Sequence, residues 1–283
     1  MMFLLQQIAI YTPLAIAAYL SISLMRIPNL AIESAFSIGA ITASLALSWS
    51  SSGYWSLLLA LSVAFIAGSI TGICAALLHL RGYISHLLAG LITIGLVHGF
   101  LQVIAPTGQL MITKVATITS TMTDNIAFII MGCCIIATIA FLSTQLGYAI
   151  AIYGNNPIFL RHYRINTAWV VSWGLALANG LAGIAGFLIA YRNGFADSTM
   201  GNGIILLALT ILVLAKAINK KTEMHVLVPL LGTVAYFLLQ FFLLKIGFDL
   251  RYFTAMQAFI IALILITNNR LQHKQEPDTD LGV

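Results

Sequence analysis

The sequence predicts an all-α, polytopic membrane protein of about nine transmembrane or re-entrant helices. Three observations carry that reading. Hydrophobic residues make up 60% of the chain and charged ones only 7%, where a soluble domain carries about 25% charged residues. The mean hydropathy of +1.01 cannot belong to a water-solvated surface around one core, so lipid is the solvent for most of the outside. The apolar residues also fall into runs of roughly 20, the length a helix needs to cross a bilayer.

The first run, residues 3–25, follows an N-terminus with no basic stretch and no small-residue cleavage site, so it reads as an uncleaved span rather than a signal peptide. The second, 30–50, is the least regular. It opens after Pro28-Asn29, contains Glu33, and is rich in small polar residues (Ser34, Ser37, Thr42, Ser44). A broken or re-entrant segment is expected there, enclosed by protein or a cavity. Further runs lie at 54–78, 84–104, 126–146, 168–191, 203–219, 225–245 and 250–267. No stretch is polar enough for a soluble domain, so 1–267 reads as one membrane domain and 268–283 as a polar tail. Two connections stand out: the Thr- and Ser-rich 105–125, and 147–167, which is polar and long for a linker between membrane helices. Gly68-xxx-Gly72 and Gly95-xxx-Gly99 have the spacing that lets membrane helices approach closely.

The charges orient the chain. If the spans alternate and the C-terminus is cytoplasmic, nine of the thirteen Lys and Arg residues lie inside and four outside, as the positive-inside rule requires. The N-terminus is then outside, and Arg26, Arg81, Arg161 and Arg164 are inside. The net charge of +5 is explained by these loops, and no nucleic-acid partner is expected.

Several chemistries find no support. There is no GxxxxGK[ST], so the chain has no such loop to cradle ATP phosphates. There is no HExxH or GxSxG, and no Cys/His spacing for a metal. Neither metal nor cofactor is expected on this chain, and enzymatic activity is not expected. Of the eight acids only Glu33 falls at depth within a run, which argues against an ion-coupled secondary transporter, since these usually carry intramembrane carboxylates.

Residues 146–165 read LGYAIAIYGNNPIFLRHYRI, and WVVSWGLALANGLAGIAGFLIAYRNGFADSTMGNGI continues to 204. This resembles the permease family of ABC importers for branched-chain amino acids and related solutes, and within it the tryptophan/tyrosine-type branch. Leu146-Gly147, Gly154, Asn156-Pro157 and Ile165-Asn166 match that branch's cytoplasmic loop. Gly174-Leu175-Ala176-Leu177, Asn179, Gly186, Gly194-Phe195-Ala196-Asp197, Met200-Gly201 and Gly203 match the helix and loop that follow. Ile27-Pro28-Asn29-Leu30 and Leu87 to Thr93 match earlier motifs. The chain departs at Ala151, Asn155 and Arg164, where the branch has arginine, aspartate and glycine, and at Asn29 to Phe36, where it has DLTVDGSF.

The resemblance implies a membrane-spanning subunit in the bacterial inner membrane. It would dimerise with a second copy or paralogue, bind ABC ATPase subunits, and receive an amino acid or similar small solute from a solute-binding protein. It also implies an ATPase-coupling helix within 150–166, from Gly154, Asn155, Asn156, Pro157, Phe159, Arg161, Arg164 and Asn166. The Asn-Pro pair suits a helix start, because Asn caps and Pro is tolerated in a first turn. Ile158, Leu160 and Tyr163 are expected to face the partner with Phe159. Asn29, Glu33, Ser34, Ser37 and Asn179 are candidates for the translocation path, where a helix N-terminus could meet a solute carboxylate. Glu33 has a blander reading, solvated at the interface beside Arg26, and Asn179 one as an inter-helix hydrogen bond. Phe195, Asp197 and Asn202 are expected at the outer mouth. The alternatives are an ion-coupled transporter and a degenerate, non-transporting subunit of a heterodimer.

Overall fold

The computed structural model describes residues 2–49, 54–112, 120–218, 227–247, 249 and 252–273. Part of the Thr-rich connection (113–119), Lys114, Lys220, Lys221, Arg251 and the tail beyond His273 lie outside the described residues.

Each predicted apolar run is helical. The helices are α1 (Met2–Ala18), α2 (Ile32–Trp49), α3 (Tyr54–Gly82), α4 (His86–Ile104), α5 (Ser120–Leu142), α6 (Gln145–Asn155), α7 (Pro157–His162), α8 (Thr167–Asn193), α9 (Ile204–Ile218), α10 (Leu227–Lys245) and α11 (Phe253–His273). Six of the resulting segments are long and apolar enough to cross a bilayer, the first being α1 with its π-helical continuation Tyr19–Leu24. The fifth run bends by 78° between α5 and α6. Ile204–Ile218 and Phe253–Ile264 are apolar but shorter. Helix α11 runs on to His273, past the predicted boundary at 267.

The core is a three-helix contact of α2, α3 and α8. Its logic is backbone against backbone. Gly68 and Gly72 of α3 sit against the main chain of Asn179 and Leu175 on α8. Gly183 of α8 lies between Gly39 of α2 and Ala64 of α3, and Gly186 abuts the Phe36 carbonyl. Such positions admit no side chain, and close approach is what glycine supplies to membrane helices. By contrast, Gly95 and Gly99 of the second GxxxG pair have nothing near them.

Two expectations are corrected and one feature is new. The second run is not broken: α2 is a regular helix. Its small polar residues are absorbed within it, with the Ser34, Thr42 and Ser44 hydroxyls donating to carbonyls three or four residues earlier. The break lies just before it, in residues 25–31, where Pro28 supplies no amide donor. The connection 147–167 is not a loop, since most of it forms α6 and α7. The ribbon of β1 (Gln109–Met111) and β2 (Phe195–Asp197), an antiparallel pair in register Gln109 to Asp197, was not foreseen.

Connections expected to share a side of the membrane lie against each other. The turn after α1 meets the end of α6 through Arg26 and Asn155, while 109–111 pairs with 195–197.

Candidate functional site: a junction of two helix starts, and a helix on the opposite end

The break before α2 is built in steps. The π-helical turn Tyr19–Leu24 closes with the Met25 amide donating to Leu20 and the Ile27 amide donating to Ser21, at 3.0 and 2.9 Å. Arg26 then takes a left-handed backbone (φ 56°), uncommon for a side chain other than glycine and a sign of a sharp redirection. Met25, Ile27 and Asn29 are buried while Arg26 and Pro28 are exposed, so one side of this irregular backbone packs against protein. The Asn29 amide donates to the Asn179 side-chain oxygen at 3.1 Å. Asn179 is the thirteenth residue of α8, about 18 Å along its axis at 1.5 Å per residue. The broken segment therefore reaches the middle of the longest buried helix. The Asn179 Nδ2 has no acceptor among the described residues.

From there α2 begins, and its first turn meets the start of α9. The Glu33 carboxylate accepts from the Gly203 amide at 3.1 Å and from the Ile205 amide. The Ser37 hydroxyl accepts from the Gly201 amide at 2.9 Å. Gly201 has no room for a side chain, because the Glu33 carbonyl lies against it, and Gly203 has φ 79°. Two helix N-termini thus converge on one carboxylate. Glu33 is half-buried, and Arg26 bonds Asn155. A small cleft adjoins it, lined by Glu33, Ser34 and Ser37 of α2, His98 of α4, and Ser198 and Asn202. Its volume of ≈ 20 Å³ is about that of one water site. Asn202 therefore joins Glu33, whereas Phe195 and Asp197 lie on the ribbon.

On that ribbon Asp197 accepts from the Gln109 amide at 3.1 Å and from the Thr199 amide and hydroxyl at 2.8 Å. Burial pushes its carboxyl up, but these donors outweigh burial and hold it below the usual range. Phe195 pairs with Met111, and both side chains are exposed.

At the opposite end, Asn156 caps α7 by accepting from the Phe159 amide at 3.2 Å, with Pro157 in the first turn. Asn166 caps α8 by accepting from Ala168. Leu160 is fully buried and anchors α7, so it does not face outward as expected. Ile158, Phe159 and Tyr163 are exposed, Phe159 against Tyr163 with ring centroids 4.6 Å apart. Arg161 and Arg164 are exposed beside them. Gly154 faces inward, against the Leu24 carbonyl.

The family model for the branched-chain amino acid transport system, permease component, matches residues 1–267. The chain belongs to this family. It is the membrane-spanning subunit of an ATP-driven importer. The permease is 25% identical over 272 residues to a tyrosine transport system permease protein of Clostridioides difficile (strain R20291), covering 93% of this chain and 89% of that protein. It is also 25% identical over 264 residues to an uncharacterized protein of Rickettsia prowazekii (strain Madrid E), covering 87% and 89%. No solved structure matches it significantly.

Sequence reasoning missed three features of the permease. Arg26 donates to Asn155 at 3.0 Å, a contact 129 residues apart that no local pattern announces. The glycines at 201 and 203 form the partner surface of Glu33, although only their family match was visible. His79 and His86 stack with ring centroids 3.4 Å apart across the α3–α4 turn. Among the described residues no three His, Cys, Asp or Glu side chains are grouped to hold a metal.

Proposed function

We propose that this permease carries an amino acid across the bacterial inner membrane, with its N-terminus outside and α7 on the cytoplasmic side. The observation that carries the reading is α7. It is a capped helix anchored by Leu160 that offers Ile158, Phe159 and Tyr163 flanked by Arg161 and Arg164. An apolar patch rimmed by cations suits a groove on an ATPase subunit with acidic edges. Gly154, Asn155, Asn156, Pro157 and Asn166 set its position rather than its contact surface. The Glu33 junction, with Ser34 and Ser37 on the cleft beside it, is the gate of the translocation path, and Asn29 and Asn179 brace the broken segment that leads to it. A solute ammonium would pair with Glu33, and its carboxylate with the freed amides at the start of α9. The exposed Phe195 and Met111 on the ribbon, with Asp197, would face the solute-binding protein, and a second copy or paralogue would complete the transporter. The similarity to a tyrosine permease favours an amino acid. ATP hydrolysis belongs to the partner subunits, and this chain performs no covalent chemistry.

The test is co-purification from detergent with the neighbouring ATPase, for wild type and for a variant lacking 155–164. Wild type is expected to retain the ATPase and the deletion to lose it. A folded wild type that binds no ATPase would return the ion-coupled or degenerate reading.

A further inference from the structure

The cytoplasmic helix and the gate are joined by a short piece of chain. At one end, the Leu24 carbonyl lies against Gly154, where no side chain fits, and Arg26 donates to Asn155, the last residue of α6 and the one before the α7 cap. Met25 is fully buried between them, against Gly174. At the other end, Asn29 is bonded to Asn179, and the Leu30 and Ala31 amides pack on Gly90 of α4. Glu33 then holds the first amides of α9. Six residues separate Arg26 from Glu33, and they are neither helix nor strand until α2 begins. The N-terminal flank is unusual twice over. It holds a π-helical turn, a feature frequent at functional sites, and the left-handed Arg26.

We propose that residues 24–33 are the transmission element of this permease: a displacement of α6–α7 is carried through Gly154 and Arg26 into the broken segment and delivered by Glu33 to the start of α9. This deepens the importer reading and rests on it. Arg26 is a positioning residue, touching neither ATPase nor solute; it binds the end of α6 to the segment. The regular helices cannot carry the movement as readily, because α3 and α8 are locked backbone to backbone, and packed interfaces switch between discrete arrangements rather than bending. The irregular segment is held at each end by a few hydrogen bonds, Arg26 to Asn155 at one and Glu33 to Gly203 and Ile205 at the other, which can be exchanged one for another.

Two hydrogen-exchange measurements decide the matter. In the permease alone, Gly154→Ala should raise exchange at the Gly203 and Ile205 amides, far along the chain from the substitution. A disturbance confined to 150–166 would overturn the proposal whatever the permease transports. In the complex with its ATPase, trapping with ATP and vanadate should alter exchange both in α7 and at Gly203 and Ile205. Arg26→Ala should keep the response in α7 and lose it at Gly203 and Ile205, and Arg26→Lys should restore part of it. If Arg26→Ala transmits as wild type does, the segment is not the route. If trapping leaves even α7 of the wild type unchanged, the importer reading fails, and the first measurement still judges the mechanical link.

Discussion

The α3–α8 contact and the α2–α9 junction both lie deep in the bundle, yet they are built in opposite ways. Across α3–α8, four glycines bring main chains together over several turns, with Gly68 and Gly72 on one helix and Gly180 and Gly183 on the other. At the junction, two helices meet end to end and are held by side-chain acceptors, Glu33 to Gly203 and Ile205, and Ser37 to Gly201. The first arrangement has one way to fit. The second is held by a few hydrogen bonds, and in the proposed importer a solute with an ammonium and a carboxylate would offer the exchange partners. The difference separates a strut from the proposed gate.

The largest expected effect is on the strut. Gly68→Val would drive a side chain into the Asn179 carbonyl of α8. Overpacking costs about 1–3 kcal/mol and sometimes more, and here the obstacle is backbone. The expected outcome is loss of monodisperse protein in size-exclusion chromatography. A variant that folds normally would show that α3 and α8 can part.

Next comes the gate. Glu33→Ala removes the acceptor from two amides and should lower the thermal midpoint by an amount corresponding to about 1–3 kcal/mol per buried donor left unsatisfied. Glu33→Gln keeps one carbonyl acceptor, so it should fold nearly as wild type while abolishing uptake in reconstituted vesicles. Full uptake in both variants would remove Glu33 from the path.

Asn179→Ala should matter less. Hydrogen bonds between membrane helices average about 0.6 kcal/mol, so a small fall in thermal stability is expected, with uptake kept. A large loss of uptake at unchanged stability would move Asn179 from packing to the path.

The smallest effect concerns the ribbon. The folded Asp197 carboxyl lies below its ordinary range, so its contribution is present above that range and is lost as pH falls through the depressed value. Protection of the Ser198 and Leu110 amides, taken relative to their intrinsic exchange rates, should fall on acidification, and Asp197→Asn should remove that loss of protection.

Much of the fold was legible because hydropathy reports which residues meet lipid, and every predicted run is a helix. Direction is another matter. Hydropathy measures length, so the 78° bend after α5 was invisible to it. Thr144, which caps α6 through the Gly147 amide, is the local signal that could have located the bend. The break near Glu33 was expected a few residues late. Serine and threonine were read as disruptive, yet in α2 they bond to their own helix, and Pro28 just before it carries the interruption. The Asn156-Pro157 start of α7 was readable, since capping is a matter of three residues. The meeting of Glu33 with Gly203 was not, because it joins positions 170 apart.

The short helix α9 has a consequence for how thick the barrier is. Its start at Ile204 follows closely on the exposed Asn202, and Ser198 and Asn202 line the cleft at Glu33, so water reaches that cleft from the ribbon side. A solute arriving by that route would already have covered part of the membrane before meeting the first closed contact. What remains to be opened is a layer about as deep as the Glu33 junction, so a shift of side-chain size, rather than the tilting of a whole span, would be enough to admit it.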